Sequence, residues 1–176
     1  MIVLVGFMGA GKTTVGRALA ARLGRAFVDS DHVIEQGLGL SLADIFEGYG
    51  EAGFREIEAR VIREQLAGPE AVLALGGGAI TTDSVREALD GHDVVLLDIA
   101  LEDALSRVGG DPGRPMLHRP DLAQVFAARA DLYRSVATLR VPVAGRSINE
   151  LVELVAAGLE DASAVPLDPE TPDAGE

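Results

Sequence analysis

The sequence has no cysteine, no tryptophan and, among its fifteen basic residues, one lysine, Lys12. Without a thiol the chain can form neither a disulfide nor a thiolate metal site, which excludes disulfide-stapled scaffolds and the cysteine-zinc classes. Aromatic residues make up only 4%, so Leu, Val, Ile and Ala must build the core. Long apolar runs are missing too, because glycines and charges interrupt each one short of membrane-spanning length. Residues 1–5 are apolar but carry no basic flank and meet a glycine at once, unlike a secretory leader. A cytoplasmic protein with no membrane partner is the expectation. Positive charge is also scarce. A formal net charge of −13 argues against nucleic acid as a partner, since phosphate backbones call for a basic face.

What the sequence does contain is the material for one domain, expected over residues 1–161, and 176 residues suffice to bury a core without staples. Short apolar runs alternate with longer amphipathic stretches, the pattern of an α/β fold with a parallel sheet. Strands are expected at 2–5, 26–28, 71–75, 93–98 and 139–143. Residues 72–75 and 94–97 are apolar throughout, as befits strands covered on both faces. Helices are expected at 12–23, closed by Gly24, from a Ser41–Asp44 capping box through Glu47, and at 51–66, 82–89, 101–108, 122–135 and 148–159. Residues 109–121, with Gly, Pro and Arg but little periodicity, read as a mobile surface loop. Residues 162–176 hold Pro, Asp, Glu and Ala without a basic residue, a composition expected to form a disordered tail.

The most informative segment is Gly6-Phe7-Met8-Gly9-Ala10-Gly11-Lys12-Thr13. It matches G-x-x-x-x-G-K-[ST], and it falls between an expected strand and an expected helix, the context this motif requires. Glycines let successive backbone N–H groups curl around an anion, and the following helix adds its unpaired amides and dipole. Lys12 can reach the β- and γ-phosphates of a nucleotide, and the Thr13 hydroxyl can ligate Mg²⁺. Keeping a lysine here in a chain that otherwise uses arginine suits a site needing a compact ammonium, although one residue leaves compositional accident open. Triphosphate binding follows; the acceptor does not, because many kinases and NTPases share the loop.

Two further segments fall at the strand ends where open α/β sheets bind ligands. Asp29-Ser30-Asp31 follows the second strand, and if strand alternation continues, Asp29 and Asp31 share a side. One could serve a metal's water shell and the other a substrate hydroxyl; alternatively Asp31 caps a helix starting at His32. Gly76-Gly77-Gly78 follows the third strand, where glycines allow a ligand close to backbone amides; alone it could be a generic turn.

In order, the loop with Gly11-Lys12-Thr13-Thr14, Asp29-Ser30-Asp31, Phe54-Arg55-x-x-Glu58, Gly76–Gly78, Arg114-Pro115-Met116-Leu117 and Arg129-Ala130-Asp131-Leu132-Tyr133 resemble the motifs of shikimate kinases over about residues 1 to 160. The resemblance implies a three-layer P-loop fold, a five-stranded parallel sheet flanked by helices with a mobile lid, and Mg²⁺-dependent transfer from ATP to the 3-hydroxyl of shikimate in aromatic amino acid biosynthesis. It implies that Asp31 grips the acceptor's hydroxyls and assists deprotonation, that Asp29 lies near the metal's water shell, and that Arg55 and Arg129 clamp the shikimate carboxylate beside Gly76, Gly77 and Gly78. Glu58 would orient Arg55. On the nucleotide side it implies Gly9, Ala10, Gly11, Lys12, Thr13 and Thr14 around the phosphates, Arg114 as the lid arginine, Arg107 against adenine and Arg146 at the nucleotide's edge. The sequence departs from the pattern at Asp131, where proline is usual, and at Met116, where leucine is usual. The stretch 120–129 is also about one helical turn short, so Arg134 stands as the alternative carboxylate partner. A gluconate-type kinase and a catalytically silent nucleotide-binding module remain the competing functions, and a monomer is the expected state.

Overall fold

All five expected apolar runs form strands in the computed structural model, which describes residues 1–108 and 121–164. Strands β1 (Ile2–Val5), β2 (Ala26–Asp29), β3 (Ala71–Ala74), β4 (Asp93–Asp98) and β5 (Leu139–Pro142) form one parallel sheet in the order β2-β3-β1-β4-β5. The helices that flank it are α1 (Lys12–Leu23), α2 (Ser30–Leu38), α3 (Leu42–Leu66), α4 (Asp83–Ala88), α5 (Leu101–Val108), α6 (Leu122–Val136) and α7 (Ile148–Ala164), with a 3-10 turn at Ala79–Thr81. Strands β1 and β3 are buried along their whole length, which is why their sequences are uninterrupted aliphatic runs. Val3, Leu4, Leu73 and Leu97 from the sheet join Val15 and Leu19 of α1 and Leu151 and Val155 of α7 in the main core. A second, smaller cluster of Ile34, Ile45, Phe54 and Val61 ties α2 to α3, giving the acceptor side its own apolar support. Among the described residues no helix is long and apolar enough to cross a membrane.

Local signals account for most boundaries. Gly24 closes α1 in the left-handed conformation, and Ser41 and Asp44 form the reciprocal capping box that opens α3. Two boundaries shift by two residues or more, and a third junction is a kink. The helices expected to end at Glu47 and to begin at Glu51 are both present and meet within α3 at a kink, where Gly50 (φ 68°, ψ 177°) is non-helical, a conformation that glycine adopts at little cost. Helix α2 begins at Ser30 rather than His32, with Asp29 as its cap. Helix α7 continues to Ala164, three residues into the segment assigned to a tail. The rest of that tail, and the lid segment with Arg114 except Asp121, lie outside the described residues.

Because every strand runs the same way, the loops after β1, β2 and β3 all emerge at one edge of the sheet, where ligands gather in such folds.

Candidate active site

The loop after β1 is shaped by its backbone. Gly6, Gly9 and Gly11 adopt φ of 146°, 76° and 90°, a region costly for residues with a Cβ, and a methyl at Gly6 would come within 2.6 Å of the Leu97 carbonyl. Gly11 starts α1 with no capping side chain, so the first-turn amides are left to an anion. Lys12 Nζ donates to the carbonyls of Gly6 (2.8 Å) and Phe7 (3.2 Å), which holds the ammonium over the loop. Arg107, from the last turn of α5, donates to the Gly9 carbonyl at 3.2 Å.

The Thr13 hydroxyl donates to Asp29 Oδ2 at 2.8 Å, while Asp29 Oδ1 accepts from the Asp31 amide at 3.1 Å. A hydroxyl and a carboxylate meeting beside a phosphate loop are hard oxygen donors of the kind Mg²⁺ takes alongside water and phosphate oxygens. The residues present therefore fit that ion. Since Asp29 is the cap of α2, Asp31 is free of that duty and sits in the helix's first turn. The helix, rather than strand alternation, sets its direction.

Opposite lies an assembly of side chains around Gly76, Gly77 and Gly78. The Gly76 amide donates to the buried Ser30 hydroxyl at 3.0 Å. A methyl on Gly76 would fall 2.5 Å from Asp31 Oδ1 and 2.7 Å from Glu58 Oε1, and one on Gly78 would fall 2.6 Å from Arg55 Cζ. Two acidic side chains and a guanidinium thus close directly on this backbone, which is why glycine stands there. The Arg55 side chain is 17% exposed and donates to Glu58 Oε2 at 2.6 Å, with Glu51 at 3.6 Å. Its guanidinium lies over the rings of Phe54 (5.3 Å) and Phe46 (6.0 Å), which stack on each other. Cation–π contact and ion pairing together fix its plane.

Arg129 and Tyr133 come from the same face of α6, four residues apart. Both donate to the Gly77 carbonyl, Arg129 Nη1 at 3.3 Å and the Tyr133 hydroxyl at 2.5 Å. Helix α6 is held in register by Phe126, whose ring packs edge-on against Phe7 of the phosphate loop at 5.0 Å. Gly77 itself lies against that loop: a methyl there would sit 3.6 Å from the Met8 amide nitrogen and 3.7 Å from the Gly6 carbonyl. Gly77 thus stands between the anion-binding loop, which a side chain there would meet, and Arg129, which donates to its carbonyl.

Burial dominates the electrostatics. The Asp31 carboxyl is pushed up to about 6, first by desolvation and then by the Asp29 carboxylate, while Lys12 pulls it back down. Glu58, 1% exposed, is pushed up to about 7 by burial against the opposing pull of Arg55. Burial also raises the Tyr133 phenol, so it remains a hydrogen-bond donor across the physiological range. Arg55 Nε and Glu58 Oε1 are buried with no hydrogen-bond partner among the described residues. Such orphans mark places where a ligand or ordered water completes the bonding. An acid–base carboxyl near neutrality, a phosphate loop and two inward arginines constitute the parts of a phosphotransfer site for an anionic acceptor.

The structure brings Lys12, Thr13, Asp29, Asp31, Arg55, Glu58, the three glycines, Arg107 and Arg129 to this edge of the sheet. Arg129 is 7% exposed despite the shortened stretch before it. Arg134, the alternative partner, is half exposed and pairs at 2.8 Å with Asp131, the residue standing in the proline's place. Arg146 is exposed and donates to the Pro142 carbonyl at the end of β5. The sequence reading assigns no role to Ser30 or Tyr133, the two residues that tether the glycine loop. The spacing of Tyr133 from Arg129 is the signal that points to it.

Comparisons with known proteins agree with this geometry. A family model described as shikimate kinase matches residues 8–160. A shikimate kinase of Mycobacterium marinum is 47% identical over 163 residues, covering 90% of this chain and 89% of its own length. The structure of a shikimate kinase from Acinetobacter baumannii in complex with shikimate superposes with a TM-score of 0.88 at 40% identity, covering 93% of this chain and 94% of that one. A gluconokinase from Sinorhizobium meliloti superposes at 0.56 with 22% identity, covering 92% of this chain and 91% of that one, a likeness of fold alone.

Proposed function

The chain belongs to the shikimate kinase family, and from that premise we propose that it transfers the γ-phosphate of ATP to the 3-hydroxyl of shikimate, using the residues gathered around Gly76–Gly78. The observation that carries the proposal is the position of Gly77, next to the phosphate loop, where an added methyl would meet Gly6 and Met8, while its carbonyl accepts from Arg129. A carboxylate held by Arg55 and Arg129 would present the rest of a small ring to the phosphate loop.

The loop amides and Lys12 hold the triphosphate and neutralise charge that shifts during transfer. Thr13 and, through water, Asp29 would hold Mg²⁺, which when bound screens the phosphate oxygens against the incoming nucleophile. Asp31 takes the proton of the attacking hydroxyl as its oxygen bonds to phosphorus and the bond to ADP breaks; a carboxyl poised near 6 is deprotonated at neutral pH yet basic enough to assist. Arg55 and Arg129 fix the acceptor's carboxylate, and planar guanidinium groups suit that anion better than ammonium groups. Glu58 and the Phe46–Phe54 stack hold Arg55 for this task. Arg107 serves the nucleotide from its place on the loop; Arg146 and the lid arginine Arg114 complete that side. We place the protein in the cytoplasm as a monomer that takes ATP and shikimate and no macromolecular partner, with its kinase domain over residues 1–161.

ADP release measured with a panel of hydroxy acids, with the product identified by mass and phosphorus NMR, tests the reading. Turnover dependent on shikimate and a phosphate on its 3-hydroxyl are expected. Turnover with gluconate and none with shikimate would refute it.

A further inference from the structure

Gly76 is fixed at both of its polar groups. Its amide donates to the Ser30 hydroxyl at 3.0 Å, and its carbonyl accepts from the Ala79 amide at 3.1 Å. Ser30 is the first residue of α2 and is fully buried, so its hydroxyl joins the start of that helix to the glycine loop 46 positions further along the chain. Its two neighbours in sequence are acids. Asp29 is engaged with the Thr13 hydroxyl and the Asp31 amide. The Asp31 carboxyl is influenced by burial and by the charges of Asp29, Lys12, Glu35 and Arg55, with no hydrogen bond among these influences.

Yet a backbone donor lies close to it. A methyl on Gly76 would stand 2.5 Å from Asp31 Oδ1 and 2.7 Å from Glu58 Oε1, so the residue whose amide is given to Ser30 has two carboxyl oxygens beside it. Deprived of Ser30, the amide would turn to one of them, because an unsatisfied donor away from water is costly and carboxylates are strong acceptors. Asp31 is the nearer, whereas Glu58 already pairs with Arg55 through its other oxygen.

We infer that Ser30 is a positioning residue for phosphoryl transfer: its hydroxyl takes up the Gly76 amide and so keeps the Asp31 carboxylate open to the acceptor's hydroxyl. Without the Ser30 hydroxyl, amide and acceptor would compete for one oxygen. Ser30 touches no reacting atom in this scheme; it acts through Gly76 and Asp31. The inference rests on the reading above, in which Asp31 takes the acceptor's proton.

The test is steady-state kinetics of Ser30→Ala, alone and combined with Asp31→Asn, with shikimate and ATP varied separately. The single variant is expected to lower kcat/KM for shikimate about tenfold, the scale of one hydrogen bond to a charged group, with KM for ATP within about twofold. In the Asp31→Asn background the same change is expected to cost less than about twofold, because both substitutions act at one carboxylate. A merely structural bond would cost the same in either background. An unchanged kcat/KM for shikimate or a matching rise in KM for ATP would overturn the inference. So would full additivity, the result if the amide turned to Glu58 instead. Two controls separate this failure from that of the acceptor reading. If the parent does not turn over shikimate, or if Asp31→Asn keeps full kcat, that reading fails and takes the inference with it. If Asp31→Asn is slow and Ser30→Ala is not, only the inference fails.

Should Ser30→Ala not fold, the parent protein answers through exchange of the Gly76 amide with deuterium, followed by NMR. An amide held by Ser30 exchanges slowly. It is expected to stay slow when shikimate alone is added, since the acceptor's hydroxyl meets Asp31 and leaves the Ser30 bond intact. Free exchange in the parent, or exchange released by shikimate, would overturn the inference.

Discussion

The phosphate loop and the acceptor pocket face each other, yet they are built in opposite ways. The loop is eight consecutive residues, 6–13, and most of its contribution comes from backbone amides and positive-φ glycines. The pocket draws Asp31 from α2, Arg55 and Glu58 from α3, the glycines from the end of β3, and Arg129 and Tyr133 from α6. A backbone-made site grips what all nucleoside triphosphates share. A side-chain-made site can be altered residue by residue without disturbing the sheet, so on the proposed reading substrate choice would reside there. Gly77 lies between the two.

If the two regions divide the labour in this way, substitutions should separate them. The largest effect is expected for Asp31→Asn: kcat lower by about 10²- to 10⁴-fold, the usual worth of a positioned base, with ATP affinity unchanged in an equilibrium titration. In the parent enzyme kcat/KM should fall as pH drops through about 6, where the Asp31 carboxyl takes up its proton; a flat profile between pH 5 and 8 would remove Asp31 from proton transfer. An intermediate effect is expected for Gly78→Ala, whose methyl would overlap the Arg55 guanidinium. Displacing one charged contact should raise KM for shikimate by about 10- to 100-fold and leave KM for ATP alone. An equal rise in both would blur the division.

The smallest effect concerns stability. Because the folded-state Asp31 carboxyl lies above its ordinary value, folding takes up a proton between about pH 4 and 6. The associated stability is complete below the unfolded value and lost as pH rises through about 6. Asp31→Asn should therefore raise the thermal midpoint at pH 8 by a few degrees, roughly 3 °C per kcal/mol for a chain of this size, and by less at pH 5. A lower midpoint at pH 8 would show that the charge stabilises the fold rather than burdening it.

The same contrast governs what could be read from the sequence. The loop was legible because its motif, strand and helix are contiguous, and the capping box at Ser41 and the aliphatic strands are equally local signals. The kink at Gly50 was only partly so: the spacing gives a helix on either side, but the φ of 68° and ψ of 177° that join them depend on backbone geometry rather than pattern. The role of Asp29 as the cap of α2 likewise depends on where the strand stops, within a residue or two. Pairing of Arg55 with the glycines required a resemblance, since an arginine on a helix is as well suited to solvent. Arg129 and Arg134 could be told apart only by their surroundings: one faces Gly77 and the other is taken by Asp131. Tyr133 gave no signal beyond its four-residue spacing from Arg129, because a buried tyrosine is most often core.

The decisive comparison sets shikimate against its methyl ester, which keeps the ring and hydroxyls but removes the negative charge, in the parent enzyme and in Arg55→Ala. The parent should prefer the acid in kcat/KM by about 100-fold, the scale of a bidentate charged contact, and the variant should prefer it by less than about tenfold. If both proteins discriminate between acid and ester to the same degree, the carboxylate is held somewhere other than at Arg55, and the division between a phosphate loop and an arginine-lined acceptor pocket is wrong.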